Sequence, residues 1–380
     1  MSRRWAWAEI DLTALRHNVA ELRRIAGPAE VWAVVKADGY GHGSVEIARA
    51  ARDAGAAGLA VALAEEGVTL RDFGLPGPIL LLSQQPYEQI PAVVAADLIP
   101  TVYTAEYARA LSAAAPPGFP VHVKVDTGMQ RVGVADSEAA GFVAELATIA
   151  PNLTVAGVFT HLACADDPAS PATPEQLDRF AAVLAELDRL GLRPPVVHAA
   201  NSGGLLGWPG ARHDLVRVGI AMYGISPGRA LDELSAGLRP VLSLKARVSH
   251  VKRVAAGSQV SYGWRHRFAA ATTVATVPIG YADGVPRRLG TASLGGGPDR
   301  PGADVLIGGQ RCPIVGVITM DQLMVDVGDA DVHVGDEVVL LGSQGDARIT
   351  ATDWADRLGT IGYEVVCAIS KRIARVPVTP

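Results

Sequence analysis

Lys36 ends a short apolar run, Val31 to Val35, and is followed by Gly39, Tyr40, Gly41, His42 and Gly43. A β-branched run closed by glycines predicts a buried strand. Burying the ammonium is costly, so the end of that strand favours a neutral amine, which can form a Schiff base with a carbonyl. The alternative is a lysine whose head snorkels to solvent, and Lys36 alone leaves both open. Arg131 follows Asp126-Thr127-Gly128 and would suit a carboxylate through its guanidinium fork. Ser202-Gly203-Gly204 predicts a flexible loop that offers N–H groups to an anion, with Gly219 and Ile220 beside it. The same glycines also fit ordinary tight turns. Arg217 suits a ring-nitrogen partner, and equally a surface or interdomain ion pair. His161 taken alone reads as a hydrogen-bonded core histidine.

These residues need a frame that brings them together. Apolar runs recur at 31–36, 59–63, 79–82, 99–103, 121–125, 155–159, 196–198 and 216–220, with helix-length segments such as 12–25, 105–115, 137–149 and 175–190 between them. A helix at 44–54 is expected to open on Ser44 as its N-cap. This rhythm predicts a (β/α)8 barrel over about 220 residues, with an open doubly wound sheet as the alternative. In a barrel the groups that follow strand ends share one face. Lys36, Tyr40, Arg131, His161, Ser202, Arg217 and Tyr223 would then converge on one mouth. Loops after the seventh and eighth strands commonly hold phosphate there, and phosphate beside a buried lysine suggests pyridoxal phosphate.

From Val241 onward the pattern turns to period 2, with Gly-rich turns, and predicts a mostly-β C-terminal domain. The expected division is a barrel over 10–235 and a β-rich domain over 236–380, joined by an N-terminal strand at 1–9. Within the second part Tyr262 follows Val260-Ser261, and by itself reads as a packing residue with a bonded hydroxyl. Met320, Tyr281 and Tyr363 carry no role derivable from their neighbours. A net charge of −5 with scattered basic residues gives no reason to expect nucleic acid. Cys164, Cys312 and Cys367 show neither metal nor disulfide spacing, which fits a reducing cytoplasm. Glu9 and Asp11 interrupt any signal-peptide pattern, and no stretch reaches the ~18 apolar residues of a membrane span.

Over nearly its whole length the chain resembles the bacterial alanine racemases. The resemblance rests on 33–43 (AVVKADGYGHG), on Lys124 through Arg131, on His161, and on Ala200-Asn201-Ser202. It continues through Arg217-Val218-Gly219-Ile220, Tyr223-Gly224, 260–263 (VSYG), 280–284 (GYADG), Met320-Asp321-Gln322 and Tyr363-Glu364. It implies an enzyme that binds pyridoxal phosphate on Lys36 and interconverts L- and D-alanine, supplying D-alanine for peptidoglycan. By the same resemblance Arg131 and Met320 hold the substrate carboxylate. Tyr40, Ser202, Gly219, Ile220 and Tyr363 cradle the phosphate, Arg217 meets the pyridine nitrogen, and His161 lies between Arg217 and a tyrosine. It further implies a cytoplasmic homodimer with shared sites, in which Tyr262 of one subunit faces Lys36 of the other as the second base. Lys124 matches a position that is often carbamylated, and no metal is implied.

The chain departs from that pattern in two places near the implied carboxylate site. Gln130 stands where the family usually has glycine, and Val317, Ile318 and Thr319 replace an Arg-x-Cys or Arg-x-Ser sequence. These changes leave open a broader or serine-type amino-acid racemase of the same fold. A decarboxylase would call for a carboxylate in place of Arg217, and a non-catalytic cofactor carrier would lack the β domain and Tyr262.

Overall fold

All eight predicted apolar runs form parallel strands in the computed structural model, which describes residues 4–291 and 301–379. Strands Leu215–Val218, Glu30–Val34, Gly58–Val61 and Ile79–Leu81 pair in that order. Strands Thr101–Val102, Phe119–Asp126, Leu153–Phe159 and Val196–His198 form the second arc. A parallel bridge between Leu80 and Ile99 joins the arcs on one side. On the other, the N–H groups of Asp214 and Arg217 donate to the carbonyls of Val197 and Ala200, each at 3.0 Å. The ring is therefore a closed barrel. Buried side chains such as Ala33, Leu59, Leu80, Val123 and Val158 occupy its strands, as parallel strands covered on both faces require.

The chain divides into two units by its own contacts: Ala14–Arg239, and Met1–Thr13 with Pro240–Pro380. Both termini thus belong to the β-rich unit. Strand Ala6–Asp11 lies between Leu242–Arg247, antiparallel, and Ala374–Val378, parallel. The sheet continues through Glu337–Gln344, Asp304–Ile307, Gln310–Val315, Leu323–Gly328, Thr272–Val277 and His250–Val254. Asp283, fully buried, fastens the start of the chain to this unit by accepting from both Nη atoms of Arg4 at 2.6 Å.

Two local expectations differ from what is observed. Helix Ser44–Asp53 begins on Ser44 instead of being capped by it; the Ser44 N–H donates to Asp38 Oδ1 at 3.0 Å. Ser202-Gly203-Gly204 is no flexible loop but the buried first turn of helix Ser202–Gly207, capped by Asn201, whose Oδ1 accepts from the Gly204 N–H at 2.9 Å. Tyr223 is fully buried, and its hydroxyl donates to the Val34 carbonyl, at the C-terminal end of strand Glu30–Val34, at 3.0 Å.

Candidate active site

Just past Val35 the backbone turns left-handed. Ala37, Asp38, Gly39 and Tyr40 have φ of 52°, 54°, 61° and 52°. L-residues in this region cost about 1–2 kcal/mol each, so something must hold them. The Gly39 N–H donates to the Val35 carbonyl at 2.9 Å, and the Gly41 N–H to that of Ala37 at 2.9 Å. Glu66 accepts from the Ala37 N–H at 2.6 Å through one oxygen and from Ala62 and Leu63 through the other. Lys36, half-buried, therefore sits at the root of a rigid turn, and Tyr40 is swung inward by it. Tyr223 supports Tyr40 with ring centroids 4.9 Å apart.

Tyr40 lies against Gly219. A Cβ on Gly219 would fall 2.5 Å from the Tyr40 hydroxyl oxygen, so only glycine permits this approach. Ser202 Oγ accepts from the N–H groups of Gly219 at 3.0 Å and Ala221 at 3.3 Å, which fixes the Gly219-Ile220 backbone. Its own O–H remains to donate elsewhere. Two hydroxyls, a close glycine and the first turn of a helix thus meet in one place, a donor set suited to an anion.

Arg217 is 3% exposed and among the described residues meets no carboxylate. Its Nη1 donates to His198 Nδ1 at 2.6 Å; its Nη2 donates to the carbonyls of Thr160 and Ala199 at 2.9 Å and to His161 Nδ1 at 3.2 Å. A guanidinium only donates, so both histidines accept on Nδ1 and carry their protons on Nε2. His198 can then donate to His122 Nδ1, 2.9 Å away. Burial first, and the Arg217 charge second, hold His161 and His198 well below the usual histidine value and push His122 down to about 4. Burial lowers Arg217 to about 9, which leaves it charged at neutral pH. Nε of Arg217 has no hydrogen-bond partner among the described residues.

The Arg131 loop is pinned at both ends. Asp126 Oδ1 accepts from the N–H groups of Gly128 at 2.9 Å and Gln130 at 3.1 Å, and Lys124 Nζ donates to the Val132 carbonyl at 2.7 Å. Lys124 is 2% exposed, and its burial lowers it to about 8. Gln130 has φ of 54°, a conformation that favours glycine, while Arg131 itself is exposed.

The β-rich unit carries Tyr262, Met320 and Tyr363. Tyr262 is 72% exposed beside another left-handed stretch, with φ of 64°, 72° and 50° at Ser261, Gly263 and Trp264. Ser261 Oγ donates to the Val317 carbonyl at 2.6 Å. Met320, half exposed, sits on a loop whose carbonyls accept from Tyr281 and Ala282. Gly280 leaves room for that loop to approach. Val317 and Ile318 point into this unit's core, and Thr319 Oγ1 donates to the Gln322 carbonyl at 2.9 Å, so the departing triplet shapes the loop beneath Met320. Tyr363, half-buried, lies in helix Gly362–Cys367. Glu66, His122 and the pairing of His198 with it were not legible in the sequence; a histidine within an apolar strand was the only signal for the two imidazoles, and Glu66 left none.

Residues 10–227 match the alanine racemase N-terminal domain family and 241–377 the C-terminal domain family. The alanine racemase of Symbiobacterium thermophilum is 47% identical over 97% of this chain and 96% of its own length. That of Thermobifida fusca is 44% identical over 98% of both. Among solved structures, the Bacillus anthracis alanine racemase with bound L-Ala-P has a TM-score of 0.91 at 37% identity, covering 100% of this chain and 96% of that one. The alanine racemase of Streptomyces coelicolor A3(2) has a TM-score of 0.89 at 40% identity, covering 99% and 98%.

Proposed function

This chain belongs to the alanine racemase family, and from that membership we propose that it binds pyridoxal phosphate on Lys36 and interconverts L- and D-alanine with two bases. The observation that carries the reading is the carboxylate-free Arg217, held between His161 and His198 behind a cradle made by Tyr40, Ser202 and Gly219. The donor set fits the cofactor. Lys36 supplies the amine, the hydroxyls of Tyr40 and Ser202 with Gly219 and Ile220 suit its phosphate, and Tyr363 would join them. The partnerless Arg217 Nε suits the pyridine nitrogen, because it donates a hydrogen bond and keeps its proton. The chemistry pyridoxal phosphate supplies when bound is delocalisation of negative charge from an amino acid's α-carbon.

Racemisation needs a proton held on each face of that carbon. Lys36 serves one face, and Tyr262 of the partner subunit serves the other. The 72% exposure of Tyr262 in the single chain, with Trp264 at 68%, fits a surface that a second copy covers. His161, neutral and protonated on Nε2, presents a donor toward the second base. Arg131, steadied by Asp126 and Lys124, orients the substrate carboxylate, with Met320 lining it. A carbamate on Lys124 would require its neutral amine, which burial favours. We place the enzyme in the cytoplasm as a supplier of D-alanine for peptidoglycan; no helix among the described residues is long and apolar enough to cross a membrane.

A panel of L-amino acids, with products resolved on a chiral column, tests the reading. Alanine is expected to convert fastest. Faster conversion of serine or another amino acid would mean that Gln130 and the Val317–Thr319 segment have changed the substrate, and no conversion of any would overturn the reading. Tyr262→Phe is expected to lower turnover of L-alanine by about 10²–10⁴-fold while leaving cofactor absorbance intact. Loss of that absorbance would contradict the assigned role.

A further inference from the structure

Gln176 lies on helix Ala172–Leu190 at 3% exposure, and all of its amide hydrogen-bonding groups are directed at two loops of the barrel mouth. Its Oε1 accepts from the Ala163 N–H at 2.8 Å. Its Nε2 donates to the His161 carbonyl at 3.0 Å and to Thr127 Oγ1 at 3.2 Å. Because Nε2 can only donate, Thr127 accepts, and its own hydroxyl is free to donate to Thr160 Oγ1 at 2.8 Å. The Thr160 carbonyl in turn accepts from Arg217. Thr127 is the first residue past strand Phe119–Asp126 and opens the loop that carries Arg131; His161 follows strand Leu153–Phe159.

We infer that Gln176 is a positioning residue that sets the Arg131 loop against the His161 loop, and hence the substrate carboxylate against the proton-handling side. The inference rests on the roles proposed for Arg131 and His161. Only a side-chain amide meets the demand of two donors and one acceptor at this point. A carboxylate would set negative charge against the His161 carbonyl. An apolar side chain would leave the Ala163 N–H and the His161 carbonyl without the partner that ties them to the Thr127 loop. Lys124 fixes the far end of the same loop, so loss of Gln176 frees one anchor and leaves the other in place.

The test compares Gln176→Glu and Gln176→Leu with wild-type holoenzyme across pH, reading KM and kcat for alanine, cofactor absorbance, thermal midpoint and the Kd of propionate as a carboxylate probe. Gln176→Glu is expected to approach wild type at low pH, where its protonated carboxyl still donates. It should lose about ten- to a hundredfold in kcat/KM as the carboxyl ionises, a titration that wild type lacks. Gln176→Leu is expected to show the loss at every pH, with weaker propionate binding and unchanged cofactor absorbance. A Gln176→Glu profile that superimposes on wild type would overturn the inference. So would losses in both variants that only track the folded, cofactor-loaded fraction while KM and propionate Kd stay fixed. If wild type racemises no alanine, the functional reading fails by itself, and the propionate comparison still decides the positioning role.

Discussion

At the scale of single residues, the unusual feature is a buried cation met only by neutral partners. The Arg217 guanidinium lies 5.1 Å from the centre of the Phe159 ring and donates to two imidazoles and two carbonyls. Those imidazoles must stay neutral, which makes the site acid-sensitive. The folded chain holds His122 down to about 4 against an ordinary 6.5, so between those values the unfolded chain binds a proton that the folded chain refuses. Stability therefore rises with pH through that window and is lost on acidification, on the order of 3 kcal/mol from His122 alone. His161 and His198 act in the same direction. Denaturant melts from pH 7 to 4 are expected to show this slope, and His122→Gln to flatten it; an unchanged slope in the variant would contradict the assignment. Gly219→Ala tests the cradle, since its methyl must displace the Tyr40 hydroxyl. Cofactor affinity should fall by about tenfold or more with little change in thermal midpoint, as for one lost charge-assisted hydrogen bond. Lys36 stood out in the sequence because a polar group at the end of an apolar run is conspicuous, and Arg217 because a charge within one is. Gln176 and His122 did not, since one buried polar residue leaves no periodic trace.

At the scale of elements, two strained turns carry the two residues proposed as bases. The run from Ala37 to Tyr40 and the stretch from Ser261 to Trp264 hold left-handed backbone that the surrounding hydrogen bonds impose. Glu66 stabilises the first from the opening turn of helix Ala64–Asp72, bridging that helix to the Ala37 N–H. Glu66→Ala is expected to cost about 2–3 kcal/mol and to weaken cofactor binding together with stability, because charged acceptors contribute that much. Denaturation of the variant within about 0.5 kcal/mol of wild type would deny Glu66 that part. The eight strands were readable because strands buried on both faces are uninterrupted apolar runs. The left-handed turn was not. Ala37 and Tyr40 have no intrinsic preference for that conformation, and it takes the distant Glu66 together with the turn's own bonds to Val35 and Ala37 to hold it. The helix at Ser202 was hidden for a related reason, because two glycines in its first turn read as a loop.

At the scale of the whole molecule, each unit carries part of the proposed chemistry. The barrel unit bears Lys36, Arg131 and Arg217; the β-rich unit bears Tyr262, Met320 and Tyr363, with Tyr262 and Trp264 bordering a hollow of about 810 Å³. If Tyr262 serves the partner's Lys36, the functional unit is a dimer and each site draws on two chains. The most direct measurement is alanine racemisation by a dissociated and reassociated equal mixture of Lys36→Ala and Tyr262→Phe subunits. Each variant alone should be nearly inactive. Random pairing makes half the dimers mixed, each with one intact site, so the mixture should recover about a quarter of wild-type activity. A mixture whose subunits demonstrably exchange yet which stays as inactive as its parents would contradict the account, because Lys36 and the partner's Tyr262 would then not share a site.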